Sequence, residues 1–94
     1  MTTRDIYITK MKLQLDELNL QMGRLEVRAQ EAREDVRDKY QAEMKKLHEQ
    51  SEAAKTKLAD MQASSESAWD NMVAEMDKVR DAFVHSFSYF KSQI

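Results

Sequence analysis

His48 and His85 are the residues of this chain best suited to bind a metal ion. A carboxylate-bridged site on helices needs a Glu three positions before the histidine, but the residue at that position before His48 is Lys45. His85 follows Asp81 by four residues, so both side chains would share one helix face and could hold a metal only weakly. We expect both histidines to be solvated or to cap a helix, and we predict no metal site.

The six internal methionines raise the alternative of a copper(I) site, because thioethers are soft ligands. Met72 and Met76, for example, lie one helical turn apart. All six nevertheless fall on one apolar stripe, where a flexible thioether simply fills space in a core. They are Met11, Met22, Met44, Met61, Met72 and Met76. We interpret them as core residues and predict no cofactor.

The composition argues against several other classes of function. The chain has no cysteine, which excludes disulfides and thiolate chemistry. Its net charge is −2, and acidic residues are interleaved with the densest basic stretch, Arg33 to Lys57, so we do not expect nucleic-acid binding. Carboxylates and hydroxyls are spread along the chain, whereas catalysis needs groups that converge in a pocket. We expect a protein that is not an enzyme.

The elements that carry these residues are predicted to be helices. With no Pro, one Gly and 34% charged residues, little in the chain interrupts a helix. Apolar residues recur every three or four positions, as in the seam of a coiled coil. The predicted fold class is all-α, an extended amphipathic helix that forms a coiled coil or a helical bundle, in a single domain over residues 1–94. The predicted oligomerisation seam consists of Met11, Leu15, Leu18, Met22, Leu25, Val36, Tyr40, Leu47, Leu58, Met61, Met72, Met76 and Val79.

The spacing of the stripe changes along the chain. Residues 8–36 follow regular heptads, residues 36–47 step by four, four and three, and the spacing drifts again toward the aromatic part at 79–94. Since the period sets the supercoil, we expect the two ends of the chain to pack differently.

A helical hairpin turn is possible near residues 63–67. Three serines lie there, and Ser67 with Asp70 three residues later resembles a helix N-cap with an acidic partner. In a hairpin, Phe83 would lie near Leu47 and Phe90 near Tyr40. The stripe nevertheless keeps its phase through the segment, which favours an uninterrupted helix. Both alternatives remain open at this point.

The stripe also predicts association. An uninterrupted helix of 94 residues would be about 140 Å long and could not bury its stripe against itself. It must fold back or oligomerise, so we expect a homo-oligomer and consider another helical protein as a further partner. Because the stripe mixes Leu and Met with Ala and Ser, we expect antiparallel or bundle-like packing rather than a parallel dimer.

The C-terminal part is rich in aromatic residues. Phe83, Phe87 and Phe90 lie at helical spacing, and Lys91 is the only formal charge after Asp81. These side chains could close the end of a bundle, or they could form a face that binds a membrane surface or a protein partner. We favour the first alternative, because these three rings and Tyr89 would be four exposed aromatics, which is a liability.

Parts of the sequence resemble a known family. The segments Tyr7 to Asn19, Leu25 to Gln30 and Ser67-Ala68-Trp69-Asp70 are similar to the small coiled-coil stress-response proteins of cyanobacteria and other bacteria. The resemblance implies a bacterial, cytoplasmic, helical protein connected with stress, and it implies no catalytic or binding residue. From the residues, we predict a self-associating scaffold or protein-interaction protein, with membrane-surface binding as the alternative.

Overall fold

The computed structural model describes residues 2–94, which are helical almost throughout. Helix α1 spans Thr3–Gln30, α2 spans Glu34–Ala63 and α3 spans Trp69–Gln93, and a short 3₁₀ helix, Glu66–Ala68, directly precedes α3. No strand occurs in this part of the chain. The predicted all-α fold class is confirmed.

Helix α1 begins with a side-chain cap. The Thr2 hydroxyl accepts a hydrogen bond of 3.2 Å from the backbone N–H of Asp5. Asp5 also places a negative charge in the first turn, where free N–H groups carry partial positive charge. Both features stabilise the start of the helix.

The first chain reversal, at residues 31–33, was not predicted. It falls inside the segment 8–36, whose heptad spacing continues across the turn although the helix does not. No Gly or Pro marks it. The strongest local signal is the pair Glu34 and Asp35 in the first turn of α2, where acidic side chains are favourable.

The second reversal lies where the hairpin alternative placed it. Helix α2 ends at Ala63, and Ser64 and Ser65 adopt extended backbone conformations. The hairpin is therefore confirmed, and the uninterrupted helix favoured by the constant phase is wrong. The predicted cap is also wrong, because Ala68 occupies the N-cap of α3 and no side chain bonds there.

The hairpin has the expected register at its open end. The rings of Tyr40 and Phe90 meet edge to face with centroids 5.7 Å apart. The Tyr40 hydroxyl also donates a hydrogen bond of 3.1 Å to the backbone carbonyl of Gln93. The end of α3 thus lies beside the beginning of α2.

The three helices form an up-down-up bundle with one core. Helix α2 packs along both other helices, while α1 and α3 run in the same direction and touch more sparingly. The bundle measures 51 × 20 × 18 Å, so the chain folds back twice and does not form a rod of about 140 Å. The largest fully buried side chains are Phe83, Phe90, Leu47, Met61 and Met76.

Candidate interaction surface

The apolar stripe predicted as an oligomerisation seam lies inside this bundle. The buried members are Met11, Leu15, Met22, Leu25, Leu47, Leu58, Met61 and Met76. The partly buried members are Leu18, Val36, Tyr40, Met72 and Val79. Each helix therefore covers the stripe of the others, and a contact between chains needs a different face.

The aromatic residues of α3 also belong to the core. Phe83 and Phe90 are completely buried and Phe87 nearly so. They pack along the same cluster as the residues of α1 and α2. Binding a membrane through these three rings would require α3 to leave the bundle.

Four aliphatic side chains on α1 remain exposed to solvent. They are Ile6, Leu13, Leu20 and Val27, with exposed fractions of 54%, 65%, 57% and 55%. Each follows the previous one by seven residues. Leu13 lies two positions before the buried Leu15, which turns it by about 200° around the helix, to the side opposite the core. We call these four residues the outer stripe.

Sequence reasoning missed the outer stripe although its signal was present. One seam already accounts for the apolar residues at steps of three and four. The outer stripe lies two positions before every second residue of that seam, as Leu13 does before Leu15. The repeated interval of seven from Ile6 to Val27 is visible without a structure. Whether these residues face outward, however, depends on which of the two stripes the chain buries in its own core.

The surroundings of the outer stripe are open on one side and apolar on the other. Gly23, the only glycine, lies between Leu20 and Val27. A Cβ atom added there would meet nothing within 4 Å, so nothing in the bundle requires a glycine at this position. On the side of α3, Leu13 and Leu18 line a shallow apolar groove with Val84. The outer stripe therefore continues toward α3.

The second reversal is held by a residue from the first helix. The Arg4 guanidinium donates hydrogen bonds to the backbone carbonyls of Met61 (2.7 Å), Gln62 (3.1 Å) and Ser64 (2.7 Å). Gln62 lies in the last turn of α2, where backbone carbonyls run out of helical partners, whereas the Met61 carbonyl also accepts a hydrogen bond from the Ser64 N–H. The guanidinium also lies 5.1 Å from the centre of the Trp69 ring. Arg4 thereby fixes the α2–α3 turn against α1.

Tyr7 extends this end cluster, which comprises Arg4, Tyr7, Trp69 and Asp77. Its ring meets Trp69 edge to face at 5.7 Å, and its hydroxyl donates a 2.7 Å hydrogen bond to Asp77 Oδ1. Burial raises the pKa of the Tyr7 hydroxyl well above its ordinary value, and the hydrogen bond and charge of Asp77 raise it further. The neighbouring Arg80 opposes this shift. The cluster favours the neutral phenol.

One polar contact crosses the core between α1 and α2. The buried Ser51 hydroxyl donates to Asn19 Oδ1 at 2.6 Å, and Asn19 Nδ2 donates to the Leu15 carbonyl at 2.9 Å. Buried polar groups need partners, so this pair favours one alignment of the two helices.

The histidines and carboxylates form no metal-binding cluster within residues 2–94. His48 Nε2 instead lies 3.6 Å from Glu26 Oε2 on the neighbouring helix.

None of the helices in residues 2–94 has an apolar stretch long enough to cross a membrane.

No protein-family model, curated protein or solved structure matches this chain. The resemblance to bacterial stress-response proteins therefore stays a prediction.

Proposed function

We propose that this protein is an interaction scaffold whose outer stripe binds a helix of a partner. The observation that carries the proposal is the outer stripe itself, four aliphatic residues on one exposed face at intervals of seven. A repeat of seven matches the spacing at which two helices keep one face together in a left-handed coiled coil. Another helix is therefore the partner that fits this surface best.

The energetics favour occupation of this face. Complete burial of one Val, Leu or Ile side chain contributes about 1.5–3 kcal/mol, and roughly half of each of these four side chains remains exposed. The bundle does not need them for its own core, since buried residues of α1 such as Leu15 and Leu25 already fill it. Exposed aliphatic residues that repeat along one helix face, unlike residues scattered singly over a surface, mark a candidate interaction site.

The rest of the molecule provides a rigid support for this face. Helix α1 is anchored to both other helices through Arg4, Tyr7 and Asn19. A preformed helix loses less conformational entropy on binding than a segment that must fold first. The resemblance to stress-response coiled coils supports a role of this scaffold in the stress response of a bacterial cytoplasm.

Site-specific photo-crosslinking in the cells that produce the protein tests the proposal. A benzophenone amino acid replaces Leu13 in one variant and Leu20 in a second. The matched controls carry it at Ala42 or Ala53, which are exposed on α2. Illumination should give discrete protein adducts from the two positions on α1 and only background from the controls.

The identity of the adduct is then read by mass spectrometry. An adduct whose crosslinked peptide comes from a helix supports the proposal, whichever protein provides that helix. Equal adduct yields at Leu13 and Ala53, or none at either position on α1, would remove the outer stripe as a binding face.

A further inference from the structure

We propose that the helix bound by the outer stripe is α1 of a second copy of this chain, aligned in parallel and in register. This inference rests on the proposed function and adds the identity and orientation of the partner. Three features of α1 support it: the spacing of the aliphatic residues, the charges on either side of them, and Gly23.

The spacing favours a parallel, in-register pair. When two identical helices align in this way, Leu13 meets Leu13 of the second copy, and Ile6, Leu20 and Val27 do the same. Four aliphatic layers result, and between them the positions three residues later also meet their own copies. In an antiparallel coiled coil, residues of this set pack instead beside the positions three residues later, which are Thr9, Asp16, Gly23 and Gln30. Those positions are polar or lack a side chain.

The flanking charges also select the parallel orientation. In a parallel coiled coil with the outer stripe in its core, the residue just before each stripe residue faces the residue of the second copy that lies five positions further along the chain. Asp5 then faces Lys10 of the second copy, and Lys12 faces Glu17 of the second copy. Symmetry repeats each attraction. Within residues 2–94, Asp5, Lys10 and Lys12 form no ion pair in their own chain, although all three are exposed.

The antiparallel alternative brings like charges together. In the antiparallel alignment that places Ile6 beside Gln30, Lys10 faces Arg24 and Glu17 faces Glu17 of the second copy, while Lys12 faces Glu26 and makes the one attraction. Like-charge contacts of this kind oppose association and exclude wrong arrangements. The charges on α1 thus discriminate between the two orientations of one partner.

Gly23 is consistent with close approach of a second backbone. A glycine inside a helix is unfavourable by itself, and the empty space around Gly23 gives no reason for it within the bundle. In the parallel pair, Gly23 lies beside the helix of the second copy, between the Leu20 and Val27 layers. Without a side chain, the two backbones can come closer there.

Two contacts weaken the parallel pair. Asp16 would face Asp16 of the second copy, and Glu26 would face Glu31 of the second copy. Glu31 lies beyond the last residue of α1, so the second pair is not held at helical spacing and its repulsion is diminished. The first remains, and Asp16→Asn should therefore strengthen the dimer.

Cysteine crosslinking tests the orientation, because the chain contains no cysteine of its own. In a parallel pair, two Thr9→Cys chains place their thiols together, and mild oxidation should give a disulfide-linked dimer that reductant reverses. Ala53→Cys on α2 is the control for random collision and should react much more slowly. In a mixture of Thr9→Cys and Val27→Cys chains, we expect disulfides between like variants only, because each position meets itself in the parallel pair. Predominant linkage of Thr9→Cys to Val27→Cys would show an antiparallel pair and overturn the inference.

A charge exchange tests the register without a covalent bond. Lys12→Glu should raise the dissociation constant of the dimer roughly tenfold, since two attractions become repulsions. Glu17→Lys should do the same, and the double variant should restore affinity to within about twofold. Lys46→Glu on α2 is the control for net charge. Failure of the double variant to recover would refute the pairing of Lys12 with Glu17.

The failure of this inference is distinguishable from failure of the proposed function. If the purified chain stays at 11.0 kDa at every concentration, the second copy is not the partner. The adducts formed at Leu13 and Leu20 in cells then decide separately whether another protein provides the helix.

Discussion

Arg4 illustrates how one side chain can determine a turn far away in sequence. It satisfies three carbonyls near the end of α2, and it stacks over Trp69. We expect Arg4→Ala to lower the free energy of unfolding by about 1–3 kcal/mol, because the carbonyls of Gln62 and Ser64 lose a charged donor, while the Met61 carbonyl keeps its bond from the Ser64 N–H. Arg4→Lys should recover only part of the loss, since an ammonium lacks the planar fork.

Chemical denaturation followed by circular dichroism and by fluorescence of Trp69, the only tryptophan, measures this loss. Arg33→Ala is the matched control, because Arg33 is exposed and makes only a surface ion pair with Asp35. It should change the free energy of unfolding by no more than about 0.5 kcal/mol. Equal effects of both substitutions would contradict the role assigned to Arg4.

The raised pKa of Tyr7 predicts that the stability of the protein depends on pH in the alkaline range. Its pKa is raised in the folded state by burial and by Asp77, whereas in the unfolded chain it returns to its ordinary value near 10. The contribution to stability is therefore complete below the unfolded pKa and is lost as the pH rises through the folded one. Tyr7→Phe should remove this dependence.

Urea denaturation of the wild type and of Tyr7→Phe between pH 8 and pH 11 separates this effect from lysine titration, which both chains share. The free energy of unfolding of the wild type minus that of Tyr7→Phe should be constant up to about pH 9. At higher pH this difference should fall, because only the wild type loses the contribution of Tyr7. Parallel pH profiles would show that Tyr7 does not titrate differently on folding.

Replacing Gly23 by alanine should have opposite effects on the stability of the monomer and on the affinity of the dimer. Gly23→Ala should raise the stability of the monomer by about 0.5–1 kcal/mol, because alanine favours a helix and open space surrounds the position. The same methyl group should weaken the dimer if two backbones approach there. Denaturation at low concentration measures the first effect, and sedimentation measures the second. A tighter dimer would contradict close approach at Gly23.

At the scale of the helices, the sequence predicted the helical structure and its buried stripe better than the turns that connect the helices. The serines at 64 and 65 made the second turn recognisable, but the constant phase from Met61 to Met72 argued wrongly for continuity. The turn at 31–33 has no Gly, Pro or serine signal. It exists because folding back buries Leu25 and Ala29 in the core of the bundle, a tertiary effect that local residue preferences do not contain.

Two leucines on α1 separate folding from association. Leu15 is 3% exposed and belongs to the core, whereas Leu13, two residues earlier, is 65% exposed. Leu15→Ala should lower the free energy of unfolding by about 2–4 kcal/mol. Leu13→Ala should cost the monomer no more than about 0.5 kcal/mol and weaken association instead.

Urea denaturation at a concentration where the chain is monomeric compares the two variants directly. The substitution is identical and the helix is the same, so only the direction of the side chain differs. Similar losses of stability from both would mean that the outer stripe is part of the core.

The whole molecule has two apolar surfaces, the seam that the sequence analysis described and the outer stripe that it did not. The seam from Met11 to Val79 lies inside the bundle, which explains why the chain is 51 Å long and not a rod. Its six internal methionines are core or partly buried residues, as their spacing indicated. The outer stripe can be found by its spacing. Its exposure follows only from the structure, in which the residues of the seam are buried against each other within one chain.

Sedimentation equilibrium of the full chain tests the central claim, that the outer stripe of α1 joins two copies. With increasing concentration, the wild-type mass should rise toward twice the 11.0 kDa of one chain. The variant Leu13→Glu with Leu20→Glu should keep its helicity and remain at 11.0 kDa, while Ala42→Glu with Ala53→Glu on α2 should behave as the wild type. A wild type that stays monomeric, or a Leu13 and Leu20 variant that associates as strongly as the wild type, would contradict the claim.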